Sequence, residues 1–184
     1  MPLDLQPRLE GPLVTLRPLL PTDHDRLFAV ASDPLIWEQH PDKTRCEPDG
    51  FRAFFQQALD SGGALLALET ASGQVIGSSR YHGYDEAADE VEVGWTFLAR
   101  SHWGGRYNGE MKRLMLHHAF RHVGRVIFCI DPANYRSQQA VEKIGGARTG
   151  TRTDPSGRVT LVFEIAARDW RTRTRPWGSP SNSP

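Results

Sequence analysis

"EVEVGWTFLARSHWGGRYNGEMKRLML", residues Glu90 to Leu116, holds the transition that decides the fold. Its first nine residues, Glu90 to Leu98, alternate apolar and polar side chains as a strand does. A loop of small and polar residues follows, with Gly104 and Gly105 side by side, and then an apolar run at helical spacing. Ten residues later "VIFCI", Val126 to Ile130, is wholly apolar, the pattern of a strand covered on both faces. Strand, loop, helix and strand in that order predict a βαβ unit with parallel strands and a right-handed crossover.

Working outward, "LVTLRPL" (Leu13 to Leu19) alternates as a half-buried strand, and Pro21-Thr22-Asp23 starts a helix running to about Ser32. A second helix is predicted over Pro48 to Leu59, with Phe51, Phe54, Phe55 and Leu59 on one face and Ser61-Gly62-Gly63 ending it. "ALLALET" and "VIGSSRYHGY" flank Ala71-Ser72-Gly73, which is turn chemistry for a hairpin. The helix after the glycine loop is predicted to end near Gly124. Asp131 to Asn134 begins another, with Ala140, Val141 and Ile144 inward and Gly145-Gly146 as its stop. Two last strands, 147 to 153 and 159 to 166, are joined by the turn sequence "DPSG". Seven strands and four helices make a mixed, mostly antiparallel sheet with helices on its faces, α/β in the broad sense.

The chain has 184 residues, enough for one domain over residues 1–170, and its Pro-, Ser- and Arg-rich end from Arg171 to Pro184 is predicted to be a disordered tail. The 22 basic and 22 acidic residues cancel, so overall charge draws it to neither nucleic acid nor an anionic membrane. With no leader and no apolar run of about 20 residues, a soluble cytoplasmic protein is expected. Cys46 and Cys129 are expected to be free thiols, Cys129 buried in a strand. His118 and His122 stand one helical turn apart, but no acid or thiol completes a metal set, and no metal is expected.

A helix N-terminus presents unpaired N–H groups and partial positive charge, so a small-residue loop before it can cradle a pyrophosphate through backbone donors. The candidates run from Gly104 through Gly105, Arg106, Tyr107 and Asn108 to Gly109. A glycine pair can equally serve only to turn the chain tightly. The loop lacks the Gly-Lys-Ser/Thr ending of a P-loop and the spacing of a dinucleotide fingerprint.

Taken together, "LRPL", "VEVGW", "HWGGRYNGEMKRLM" and "NYRSQQAVEKIGGAR" resemble, in their order and spacing over about residues 11 to 170, the GCN5-related N-acetyltransferase (GNAT) superfamily. Within it the chain is most similar to the ribosomal-protein N-terminal acetyltransferases. The resemblance implies a GNAT fold with a central splayed parallel strand pair and acetyl-CoA as cosubstrate. Its pantetheine arm would pair with backbone near Phe97 and Ala99, its pyrophosphate would sit in the glycine loop, and Asn134 would bind the arm. An amine acceptor is implied as partner, a homodimer is left open, and the first two helices, with Glu38 or Asp42, would wall the acceptor groove. Arg106 stands where the family has its second glycine, and Val141 where many members carry a tyrosine acid.

Transfer from a thioester to an amine requires a base, because an α-amino group or a lysine is mostly protonated at neutral pH. By resemblance that base is Glu92, with Glu90 or His82 as substitutes. A backbone N–H near Val93 or Gly94 would face the thioester oxygen. Ser137 would assist the leaving sulfur by relaying a proton, with Tyr135 as a weaker candidate. The expected function is direct acetyl transfer to a primary amine, of a protein N-terminus or a small molecule. The alternative is a non-catalytic acyl-CoA-binding or interaction protein that keeps the fold.

Overall fold

The computed structural model describes residues 2–154 and 157–173. Eight strands form one sheet: β1 (Leu9–Glu10), β2 (Val14–Pro18), β3 (Ala64–Glu69), β4 (Val75–Asp85), β5 (Glu90–Leu98), β6 (Arg125–Ile130), β7 (Ala147–Thr153) and β8 (Val159–Ala166). Their order across the sheet is β1-β2-β3-β4-β5-β6-β8-β7, and all neighbours are antiparallel except β5 and β6. The strand beyond the seven expected is β1, two residues long and so too short to show any alternation.

Helices α1 (His24–Ala31) and α2 (Pro48–Asp60) cover one face; α3 (Arg106–Ala119), α4 (Tyr135–Lys143) and α5 (Ala167–Arg173) bring Met111, Met115, Val141 and Trp170 to the other. Each face has its own core. Leu27, Phe51, Phe54, Phe55 and Trp37 pack on the α1–α2 side, and Tyr81, Val91, Val93, Met111 and Met115 on the α3 side. A side chain of this size contributes about 1.5–3 kcal/mol when fully buried, so the two layers hold the sheet from both sides.

Two boundaries differ from expectation. The third helix stops at Ala119, not near Gly124, and the following turn is fixed where the Gly124 N–H donates to the Asp89 carboxylate at 2.8 Å. The unpredicted α5 begins at the end of β8 and carries Trp170 back onto the core. Residues 174–184 of the predicted tail lie outside the described residues. Among the described residues no helix is long and apolar enough to cross a membrane.

Candidate active site

β5 and β6 pair only through Glu90, Val91 and Glu92, opposite Arg125, Val126 and Ile127, and then part although both strands continue. On its other side β5 stays paired to β4 with two irregularities, one between His82 and Asp85 near the hairpin end and one at the splay: from Gly94 to Phe97 β5 advances three residues while β4 advances two, from Arg80 to Ser78. The extra residue is a bulge at Trp95, held at φ 50°, a left-handed conformation that costs a non-glycine residue about 1–3 kcal/mol. The bulge reverses which residues face which core. Val91 and Val93 point to the α3 side, whereas Trp95 and Phe97 pack on the α1–α2 side.

That reversal bears on the two residues expected to pair with a pantetheine arm. Ala99 donates its N–H to the Ile76 carbonyl of β4 at 2.8 Å and accepts from the His102 N–H at 2.9 Å. The Phe97 carbonyl lies against Gly77, where even a Cβ would come within 2.0 Å of it. The Ala99 N–H and the Phe97 carbonyl therefore face β4, and the Ala99 carbonyl is taken by the following turn. By alternation, Thr96 and Leu98 face the splay, and the Leu98 carbonyl takes the Trp103 indole N–H at 2.9 Å.

Beyond Trp103, Gly104 and Gly105 lie at φ 98° and 100°, where glycine alone is unstrained, and space beside both is open. Gly105 caps α3 and Arg106 is its first residue, with no left-handed φ, so the arginine fits the backbone without strain and its side chain is exposed. The Gly109 N–H closes the first helical turn on the Gly105 carbonyl at 2.8 Å, which removes it from the donor set. The amides of Arg106, Tyr107 and Asn108 precede the first intrahelical bond. Around this loop the Tyr107 hydroxyl donates to Glu69 at 2.8 Å, and Glu110 accepts from the N–H groups of Leu13 and Val14 at 2.7 and 3.0 Å. These two contacts fasten the start of α3 to the sheet, and the open glycine cradle suits a diphosphate.

Glu92 is the last residue of the parallel pairing, so its carboxyl stands where the strands part. Desolvation pushes its pKa up, against the pull of Arg152 and of the Cys129 thiol and amide beside it. Cys129 is half-buried, not buried as expected, because it lies on β6 at the opening; its thiol is pushed up to about 11 by burial and by Glu92. Glu90 is tied to Arg125 at 2.9 Å and Arg152 at 3.3 Å. His82 pairs with Glu92 across the ladder and sits edge-on to Trp95, 5.1 Å between ring centres; burial and Arg80 lower its pKa.

At the start of α4, Asn134 caps the helix, its side-chain oxygen accepting the Ser137 N–H at 3.1 Å. No hydrogen bond engages the Ser137 hydroxyl among the described residues, Tyr135 is largely exposed, and Val141 is buried in the core. Arg136 crosses the gap between walls: its guanidinium stacks on Trp103 at 4.3 Å and bonds the Ile36 carbonyl at 2.8 Å. Asp42 is committed to Thr44 and Arg45, whereas exposed Glu38 lines a cavity of about 320 Å³ with Gln39, His40, Lys43 and Asp131. Burial and Arg45 hold His40 down to about 4, so it is neutral at pH 7. A larger groove of about 520 Å³ lies beyond the splay, between α1 and residues 99–101, and excludes Glu92.

Three residues of this region had no signal in the sequence. Trp95 reads as one more strand position. Lys112, within an otherwise ordinary helix, is buried, with its ammonium on the Thr96 hydroxyl at 2.5 Å and the Ser79 hydroxyl at 3.5 Å and 5.5 Å from the Phe128 ring centre; desolvation lowers its pKa to about 7. Arg80, in the middle of β4, is also buried. On the expected histidine pair, the His118 ring bonds the Asp4 carbonyl at 2.8 Å and packs against His122.

Comparison with known proteins bears on the same frame. A stretch of 57 residues is 42% identical to the uncharacterized protein YkkB of Bacillus subtilis, spanning 30% of this chain and 33% of that protein. Over the whole fold, a GCN5-related N-acetyltransferase from Brucella melitensis superposes with TM-score 0.79 at 21% identity, covering 90% of this chain and 81% of that one. Mycobacterium smegmatis RimJ, solved in complex with CoA-disulfide, does so with TM-score 0.67 at 18% identity, covering 89% and 87%. A family model described as an acetyltransferase (GNAT) domain matches residues 14–147, which include the splay, the cradle and α4, and the chain therefore belongs to the GNAT acetyltransferase family.

Proposed function

We propose that the protein transfers the acetyl group of acetyl-CoA directly to a primary amine bound on the α1–α2 face beside Glu92. The observation that carries this reading is the parting of β5 and β6 immediately after Glu92, with the glycine cradle at the neighbouring end of α3. Acetyl-CoA supplies an acetyl thioester. The N–H groups of Gly104 through Asn108 are suited to its pyrophosphate, and the exposed Arg106 guanidinium to a phosphate oxygen. The edge of β5 at Thr96 and Leu98 offers backbone groups to an extended arm.

Glu92 takes a proton from the acceptor ammonium or from a water between them. Its raised pKa makes it a stronger base than an ordinary carboxylate. A backbone N–H near Val93 or Gly94 stabilises charge developing on the thioester oxygen. Ser137, with its hydroxyl unengaged, passes a proton from water toward the departing sulfur, and the Asn134 cap holds that serine in place. Arg136 must release or share Trp103 as the cradle fills, because its side chain bridges the two walls of the opening.

Incubation with labelled acetyl-CoA and libraries of amines and peptides, read by mass spectrometry beside calorimetric binding of acetyl-CoA, tests the reading. Binding with acetylation of at least one amine class is expected. Binding without transfer to any amine would replace the enzyme by an acyl-CoA-binding protein, and no binding would remove the cradle assignment.

A further inference from the structure

Arg80 is 5% exposed, and its Nε is sealed from solvent with no hydrogen-bond partner. Among the described residues no carboxylate or carbonyl pairs with its guanidinium, which lies instead 4.6 Å from the Trp95 ring centre and 5.9 Å from that of Phe54. The nearby Arg45, stacked 4.5 Å from the Phe54 ring centre, adds a second positive charge, its own partner being Asp42 at 3.1 Å. A guanidinium buried against aromatic faces, with its Nε sealed from water and unpartnered, lacks an oxygen that this donor requires. That deficit suits an anion brought by a ligand.

The sheet register says where such a ligand sits. Arg80 is opposite Gly94 and His82 is opposite Glu92, so Arg80 and Glu92 share the α1–α2 face as diagonal neighbours. Between them Gly94 has no side chain, and a Cβ built there would meet only the Glu92 carboxylate, at 3.4 Å. The space over Gly94 is therefore open, with a base on one side and an unpaired cation on the other. Diagonal neighbours on one sheet face have Cβ atoms roughly 7–8 Å apart, a gap that a small molecule can span.

We propose that the acceptor is a small amine carrying a carboxylate a few bonds from its nitrogen, an amino-acid-like zwitterion whose carboxylate docks on Arg80 while its amine meets Glu92. This rests on the acetyl-transfer reading above and narrows it. The guanidinium fork matches a carboxylate through two parallel hydrogen bonds. An ordinary protein N-terminus, whose α-amine is followed by a neutral amide, has nothing to offer Arg80; a free amino acid or an acidic first residue does. The compact space over Gly94 favours the free amino acid.

The test pairs each free L-amino acid with its C-terminal amide and with dipeptides beginning in Asp or Glu, using labelled acetyl-CoA. In parallel, N-acetyl amino acids and their amides are added with CoA while the melting temperature is followed. For the preferred side chain, the acid is expected to exceed its amide at least tenfold in kcat/KM, through KM, and the N-acetyl acid alone to raise Tm. Arg80→Met and Arg80→Gln should each abolish both differences. Amides acetylated as fast as acids would overturn the carboxylate site and leave acetyl transfer standing. A preference that survives in whichever Arg80 variant folds would overturn it equally, and one confined to the acidic dipeptides would overturn the free amino acid as the acceptor. Protection by N-acetyl acids without transfer to any amine would keep the anion site and remove the enzymatic reading. Neither transfer nor protection would remove both.

Discussion

Lys112 and Arg80 approach the same bulge of β5 from opposite faces of the sheet, and the structure treats the two cations differently. Lys112 comes from α3 and meets the hydroxyls of Thr96 and Ser79, which bond each other at 2.8 Å and in turn reach the Gly94 carbonyl, each at 3.4 Å. Arg80 comes from β4 and meets only rings. The lysine therefore belongs to a closed polar network that braces the left-handed Trp95, whereas the arginine is left with a buried Nε donor unmet. Buried polar groups with partners serve architecture, and those without them mark where a ligand completes the structure.

The two cations should also separate by pH. Lys112 has its pKa lowered from 10.5 to about 7. A depressed pKa means that the unfolded chain holds a proton that the folded protein has lost, so stability rises as pH climbs from about 7 toward 10.5 and is lost as pH falls through 7. The slope is about 1.4 kcal/mol per pH unit. Denaturant unfolding of Lys112→Met should show a gain at pH 6 that shrinks by about 4 kcal/mol by pH 10. A gain independent of pH would mean that Lys112 stays charged in the fold.

Arg80, lowered only to about 10 by burial and Arg45, remains charged across pH 6 to 9. Its replacement by methionine removes an unpaired buried charge at the cost of the aromatic contacts, a net gain of about 1–2 kcal/mol that should not vary over that range. Loss of stability in Arg80→Met would instead make Arg80 a structural residue and dissolve the contrast. Thr96→Val takes the nearest hydroxyl from Lys112 and should cost about 1 kcal/mol at pH 6 and less at pH 9, where the amine is neutral. The smallest effect belongs to His82→Ala: edge contact with Trp95 is lost, stability should move by about 0.5 kcal/mol, and acetyl transfer should persist, because Glu92 and not His82 stands at the parting of the strands.

The same contrast shows what could be read without coordinates. Alternation in "EVEVGWTFL", the apolar "VIFCI" and the glycines before an apolar helix carried the βαβ unit, and the observed β5, β7 and β8 have the predicted ends. The place of Glu92 on the strand leading to the loop was legible, whereas its proposed role as base came from the family resemblance. The bulge was not, since Trp95 is as good a strand residue as its neighbours and only pairing with β4 reveals the extra position. From it follow the turn of Phe97 and Ala99 toward β4 and the meeting of Thr96 with Lys112. Arg80 was hidden for a similar reason: the loss of partners around a buried charge is a property of three elements packed together, not of one strand's sequence.

The most direct test of the account is acetyl transfer by Glu92→Gln, measured with labelled acetyl-CoA on the best amino acid acceptor alongside calorimetric binding of acetyl-CoA. The account predicts unchanged cosubstrate affinity and transfer slowed by at least about 100-fold, with the residual rate no longer rising through the Glu92 titration. Transfer at the wild-type rate would contradict it.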